Sequence, residues 1–159
     1  MGSRHVLAWL VMLAPTVASA DKGGSFVSAG LVLGAGMHEA GDNGFLFGAE
    51  LSAGHFALGK GKRLFDLTPH WIGGYVDVVR DFGADATRIT FGPEIGTATL
   101  GLDGGLACEV RDGRWGWTIR PVLTVGALAV FVRYTGWASG DERSDVQVGA
   151  LIKLPVPLF

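Results

Sequence analysis

Charged side chains stand singly within stretches of this sequence that are otherwise apolar. Because successive residues of a β-strand point to opposite faces, side chains two residues apart share a face. With this period, five acids and five bases fall on one face, which we predict to point inward: Glu50, Asp77, Arg88, Glu94, Asp103, Glu109, Arg111, Arg120, Arg133 and Lys153. Such groups can pair with one another, or they can pass protons and small ions.

If the strands close into a narrow barrel, the charged groups inside it must be paired, since an unpaired buried charge is energetically costly. We therefore interpret these ten residues as a salt-bridge network that fills and seals the lumen. The alternative is a narrow channel for ions or small solutes. It stays open because many of the 26 glycines fall on inward positions, where they leave space.

Residues suited to catalysis are few. After the N-terminal segment the histidines are His38, His55 and His70, and none stands in a convincing arrangement with a nucleophile. The sequence has no Asp-x-Asp-x-Asp-Gly calcium loop, and Cys108 is its only cysteine. We predict no catalytic, metal-binding or cofactor-binding residues. A lipid-modifying membrane enzyme is the alternative, and alanine substitutions at His38 and Ser144 would test it.

The stretch from Arg114 to Trp137 shows which elements carry the charges. A membrane-spanning helix is disfavoured there, because it would bury Arg120 next to Pro121 at a cost of about 2.5–3.5 kcal/mol. Apolar residues instead alternate with small or polar ones on both sides of Gly126-Ala127. This pattern predicts two antiparallel strands, each long enough to cross a membrane at a tilt of about 45°.

The same alternation recurs along the chain, and polar, glycine-rich segments separate the repeats. We predict an all-β protein, an eight-stranded antiparallel up-and-down transmembrane β-barrel. The predicted strands are residues 26–37, 45–53, 65–80, 88–95, 102–111, 115–125, 128–135 and 146–154. The third strand is irregular, and a bulge is expected at Pro69 or at Gly73-Gly74.

Residues 1–20 have the features of a cleaved signal peptide. Arg4 precedes an apolar run that is shorter than a membrane-spanning helix, and Ala18-Ser19-Ala20 forms a small-x-small cleavage pattern. We therefore predict a barrel of residues 21–159 in the bacterial outer membrane of a Gram-negative-type envelope, with both termini in the periplasm. The polar segments 38–44, 81–86, 112–114 and 138–145 would then be outer loops.

Aromatic residues gather at the predicted outer ends of the strands. We interpret them as the girdle that lies at the membrane interface of such barrels; they are Phe45, Phe47, Trp115, Trp117, Tyr134 and Trp137. An aromatic platform for a ligand is the alternative. A soluble barrel that binds an apolar ligand would need polar outward faces, whereas these are rich in Val, Leu, Ile and Phe.

With these features the chain resembles the small eight-stranded outer-membrane barrels of the OmpA and OmpX kind over residues 24–159. Phe159 looks like the aromatic last residue that marks such chains for assembly, although Pro155 and Pro157 depart from the usual pattern and are expected to fray the strand. The resemblance implies a porin-like or OmpA-like membrane protein without a cofactor. Its partners would be outer-membrane lipids, including lipopolysaccharide, and the outer-membrane assembly machinery.

The absence of a basic tract, with a net charge of −2, argues against nucleic acid, and a monomer is expected. The function predicted from the sequence is therefore a non-enzymatic outer-membrane barrel with a structural or surface-interaction role and a lumen plugged by charges.

Overall fold

The computed structural model describes residues 24–38, 43–57, 70–138 and 144–158. They form eight strands: β1 (Gly24–His38), β2 (Gly44–Ala57), β3 (His70–Asp81), β4 (Ala86–Thr97), β5 (Leu100–Glu109), β6 (Arg114–Val125), β7 (Leu128–Trp137) and β8 (Ser144–Leu158). Each strand pairs antiparallel with the next, and β8 pairs with β1. The predicted fold, an all-β closed barrel of eight antiparallel strands, is confirmed. None of the described residues forms a helix that is long and apolar enough to span a membrane.

The barrel closes through a long ladder between its first and last strands. Ser25 lies opposite Leu158 at one end of this ladder, and His38 lies opposite Asp145 at the other. We call the end near His38 the loop end, because β1 joins β2, β3 joins β4, β5 joins β6 and β7 joins β8 there. The opposite end, where Gly24 and Leu158 lie, is the terminus end. Because the barrel is closed, each described strand pairs with a neighbour on both sides over at least part of its length.

Tight turns and close strand contacts explain part of the glycine content. Gly113 and Gly126 adopt positive φ angles of 63° and 65°, which glycine reaches without steric cost, in the β5–β6 and β6–β7 turns. Gly92 of β4 and Gly105 of β5 leave no room for a Cβ atom, because each faces the backbone of the other strand. These positions therefore require glycine for chain geometry.

Strand β3 is more regular than the sequence suggests. Its pairing with β2 runs without interruption from Leu46–Asp81 to Ala57–His70 and crosses Gly73 and Gly74 in register. The bulge expected at Gly73-Gly74 is therefore wrong, and Pro69 lies outside the described residues. The pleat is kept because the two glycines lie opposite Gly54 and Ala53, where small side chains crowd neither face.

The fraying expected at Pro155 and Pro157 is also wrong, since both residues pair with β1. The amide of Lys153 donates to the carbonyl of Ala127, toward β7. Amide groups two residues apart point to the same side of a strand, so both prolines lack an N–H on the β7 side. They lie beyond Leu128, the first residue of β7, and therefore remove no ladder hydrogen bond.

A candidate site of paired charges inside the barrel

Arg120 on β6 is the centre of the charge network inside the barrel. Its Nη2 atom lies 2.6 Å from Glu50 Oε2 and 2.6 Å from Asp103 Oδ2, and its Nη1 atom lies 3.5 Å from Asp77 Oδ2. The guanidinium group also lies 4.8 Å from the ring centroid of Tyr75. Arg120 is completely buried, so these groups take the place of water around its charge.

Two further bases complete what we call the central cluster: Glu50, Asp77, Glu94, Asp103, Arg120, Arg133 and Lys153. Arg133 forms a buried ion pair with Asp77. Lys153 Nζ lies 2.7 Å from Glu50 Oε1 and 3.0 Å from Glu94 Oε2. The cluster contains four carboxylates and three bases, and it connects every strand from β2 to β8 through side-chain contacts across the lumen.

A second set of charges lies at the loop end, and its two carboxylates belong to segments that the sequence predicts to be outer loops. The two ring nitrogens of His38 lie 2.8 Å from carboxylate oxygens of Asp81 and Asp145. Asp145 also accepts hydrogen bonds from Arg88 at 2.7 Å and from Trp137 at 2.6 Å. We call these five residues the loop-end cluster.

Arg111 does not point inward, which corrects the prediction for that residue. Strand β5 ends at Glu109, and the Arg111 side chain lies in the following turn, 67% exposed and bonded to Asp85 at 2.9 Å. Arg114, the cross-strand partner of Glu109 on β6, takes its place with an ion pair of 2.7 Å. The period-two pattern continues for two residues beyond the end of β5, into the turn.

Trp137 is the second correction. Five of the six predicted girdle residues lie exposed on the outer wall, namely Phe45, Phe47, Trp115, Trp117 and Tyr134. Trp137 instead points inward, where its ring lies 5.1 Å from the Arg88 guanidinium and 4.9 Å from that of Arg114. In the sequence, Trp137 is in phase with the inward residues Arg133 and Thr135, and this signal indicates an inward position.

At the terminus end, neutral side chains lie on the inner face of the barrel. The Trp71 ring lies against Gly96 and Gly101, where a Cβ atom on either glycine would crowd it. Its indole N–H donates to the carbonyl of Thr97 at 3.0 Å. The rings of Phe26 and Phe56 are 4.4 Å apart.

For the alternative that the protein is an enzyme, the described residues offer one hydroxyl–imidazole pair. The hydroxyl of Ser25 lies 3.5 Å from Nδ1 of His55 on the exposed wall at the terminus end. Among the residues that the structure describes, no carboxylate contacts this ring, and no group of three or more His, Cys, Asp or Glu side chains could hold a metal ion. His38 is held by two carboxylates, so its ring nitrogens are not free to activate Ser144.

Some residues with a predicted role lie outside the residues that the structure describes. The signal-peptide segment 1–20 and the C-terminal Phe159 lie outside the described residues, as do Glu39, Asp42 and 141–143 of the outer loops. They stay predictions.

The sequence matches no known protein-family model and no curated protein. Among solved structures the chain is similar to neisserial surface protein A, with a TM-score of 0.50 and 16% identity over 84% of this chain and 99% of that chain. The chain has the fold of the small eight-stranded outer-membrane barrels. The resemblance predicted from the sequence is thus confirmed at the level of the fold.

Two further structures are more distant. A de novo designed transmembrane β-barrel matches with a TM-score of 0.44 and 13% identity over 79% of this chain and 94% of that chain. The attachment invasion locus protein Ail of Yersinia pestis, solved with the heparin analogue sucrose octasulfate, matches with a TM-score of 0.29 and 13% identity over 82% of this chain and 98% of that chain. Both are too dissimilar to support an inference about function.

Proposed function

We propose that the protein is a non-enzymatic barrel of the bacterial outer membrane, with a structural or surface-interaction role and a lumen closed by paired charges. The observation that carries the proposal is an inside-out distribution of polarity. Glu50 and Arg120 inside the barrel are at most 1% exposed, whereas Leu51 and Ile72 on the outer wall are 60% and 64% exposed. Apolar side chains stay on an outer wall at low cost when lipid surrounds it.

We place the loop end outside the cell and both termini in the periplasm. The hairpin order supports a shared side for the two termini, because an even number of strands returns the chain to the side where it began. A signal peptide at residues 1–20 and an assembly signal at Phe159 belong to the same proposal. The partners would be lipopolysaccharide and the assembly machinery, with no nucleic acid, and the protein would act as a monomer.

If the outer wall faces the membrane, a charge introduced there should destabilise the barrel more near the middle of the membrane than near its surface. Val132 lies on the outer wall near the middle of β7, and Val125 lies at the end of β6, with exposures of 46% and 75%. We expect Val132→Arg to lower the free energy of unfolding in lipid vesicles by about 2–4 kcal/mol and Val125→Arg by at most about 1 kcal/mol. Urea titration of the two matched variants measures both values. Equal effects would show that the outer wall does not face a hydrocarbon layer.

The paired charges predict a lumen that does not conduct steadily. Purified protein in a planar bilayer should therefore show little ion current, because Arg120 and its carboxylate partners occupy the middle of the lumen. Replacing Glu109, which pairs with Arg114 nearer the loop end, with alanine should raise the frequency of brief openings without producing a steady pore. A large steady current through the unsubstituted protein would contradict the seal.

A narrow path for protons or small ions is the second candidate, and one observation favours it. Several buried polar atoms have no hydrogen-bond partner within the described chain, among them Tyr75 Oη, Arg133 Nε, Gln147 Nε2 and Glu94 Oε1. Buried polar atoms are usually satisfied by internal water when the protein supplies no partner. Proton flux into vesicles, measured with a pH-sensitive dye while ion current is absent, would support this second candidate over a dry plug.

A further inference from the structure

One charged side chain breaks the inside-out pattern of the barrel. Among the Lys, Arg, Asp and Glu residues on the described strands, Arg80 of β3 is the only one that points outward. Its neighbours on the outer wall are Phe47 of β2 and Thr87 of β4. An arginine on a wall that otherwise faces lipid is costly, so its place at the loop end calls for a polar partner at that depth.

Within the chain, Arg80 shares its carboxylate partner, Asp85, with Arg111. Arg80 forms an ion pair with Asp85, whose other oxygen accepts a hydrogen bond from Arg111 at 2.9 Å. Two guanidinium groups therefore meet one carboxylate, which leaves one positive charge in excess. Arg80 Nη1 also donates to the carbonyl of Asp85 at 3.2 Å and to the hydroxyl of Thr87 at 3.3 Å. The Arg80 and Arg111 side chains are 39% and 67% exposed, so the remaining N–H donors of the two arginines face the surroundings.

The aromatic residues beside Arg80 indicate the depth of this site. The Phe82 ring lies 6.0 Å from the Arg80 guanidinium and 6.2 Å from the ring of Phe45. Phe45 and Phe82 are 55% and 60% exposed on the same outer face. Aromatic side chains of this kind mark the boundary between hydrocarbon and headgroups, which is the level at which lipid phosphates lie.

From these observations we propose that Arg80 and Arg111, held together by Asp85, bind the phosphate group of an outer-leaflet lipid against the Phe45–Phe82 face. Guanidinium groups suit this ligand because their planar donors match two phosphate oxygens at once. The lipid tail then lies along the exposed rings. The choice of leaflet rests on the proposed function, whereas the phosphate contact itself does not.

The test uses the purified full-length protein in detergent micelles and lipid A that carries both of its phosphates. Native mass spectrometry measures the affinity of the unsubstituted protein, of the double variant Arg80→Gln/Arg111→Gln, and of His55→Gln, which removes an exposed ring at the terminus end. Gel mobility before and after heating confirms that each variant is folded. We expect the double variant to bind about tenfold more weakly, since two charge-assisted contacts are lost, and His55→Gln to bind as the unsubstituted protein does.

Two further lipids separate the possible sources of the phosphate. Dephosphorylated lipid A should bind all three proteins equally. A loss of affinity that extends to phosphatidylglycerol assigns the site to lipid phosphates in general, and a loss confined to lipid A assigns it to the glycolipid. Equal affinity of the double variant and the unsubstituted protein for phosphorylated lipid A would overturn the proposal, as would an equal loss with the dephosphorylated lipid. Neither result would affect the Val132→Arg test of the membrane barrel.

Discussion

Replacing Arg120 with alanine is expected to lower the free energy of unfolding by about 3–5 kcal/mol. The substitution removes the base that contacts Glu50, Asp77 and Asp103, and it leaves those carboxylates with fewer partners inside the barrel. The net negative charge of the central cluster would rise at the same time. Removing one member of a buried ion pair costs much more than removing a surface partner, because the remaining charge stays desolvated.

Urea titration in lipid vesicles, followed by tryptophan fluorescence, measures this effect. Arg111→Ala is the matched control, since it removes the same side chain from an exposed pair with Asp85, and it should change stability by less than about 1 kcal/mol. Arg120→Lys keeps the charge and should recover part of the loss. If Arg120→Ala and Arg111→Ala have equal effects, the interior charges are hydrated and the lumen is not sealed by them.

Replacing His38 with alanine is expected to lower the free energy of unfolding by about 3 kcal/mol or more. The ring connects Asp81 on β3 with Asp145 on β8, and it is the only side chain in the described structure that contacts both carboxylates. Asp145 would keep Arg88 and Trp137 as partners. Among the described residues, Asp81 would keep the amides of Gly83 and Ala84 as partners, at 3.0 and 3.1 Å.

The effect of His38→Ala should also be local. Hydrogen exchange should become faster at the loop end of the β1–β8 ladder, near Gly36 and Gln147, while the terminus end near Ala29 and Leu154 stays protected. His55→Ala, which removes an exposed histidine ring, is the control and should change neither stability nor exchange. Unchanged protection near Gly36 in His38→Ala would mean that the two carboxylates do not depend on the imidazole.

Much of the barrel follows from the sequence, because the side chains of a strand alternate strictly between two faces. Once one face of Arg114–Trp137 is apolar and the other carries Arg120 and Arg133, the direction of every side chain in both strands is set. The same rule placed Glu50, Asp77 and Lys153 inside. Trp137 follows the same rule, and its aromatic character is no exception to it, because its ring lies inside beside Arg88 and Arg114.

The limits of each strand depend on less regular signals. Arg111 obeys the alternation, but β5 has already ended at Glu109, so its side chain leaves the barrel. At the other limit, His38, Asp81 and Asp145 look like loop residues in the sequence because they are polar and adjoin polar segments that contain glycine. Pairing between β1 and β8, which are distant in the chain, keeps His38 and Asp145 on strands and brings their side chains together.

The sequence by itself determined the strand count and the inward direction of most of the charges. Only the tertiary structure decided which charges meet. Arg120 pairs with Asp103 on the neighbouring strand β5, but its contact with Glu50 on β2 crosses the lumen. Periodicity specifies a face and not a height along the barrel, because the height of each side chain depends on strand tilt and on the stagger accumulated around the closed sheet.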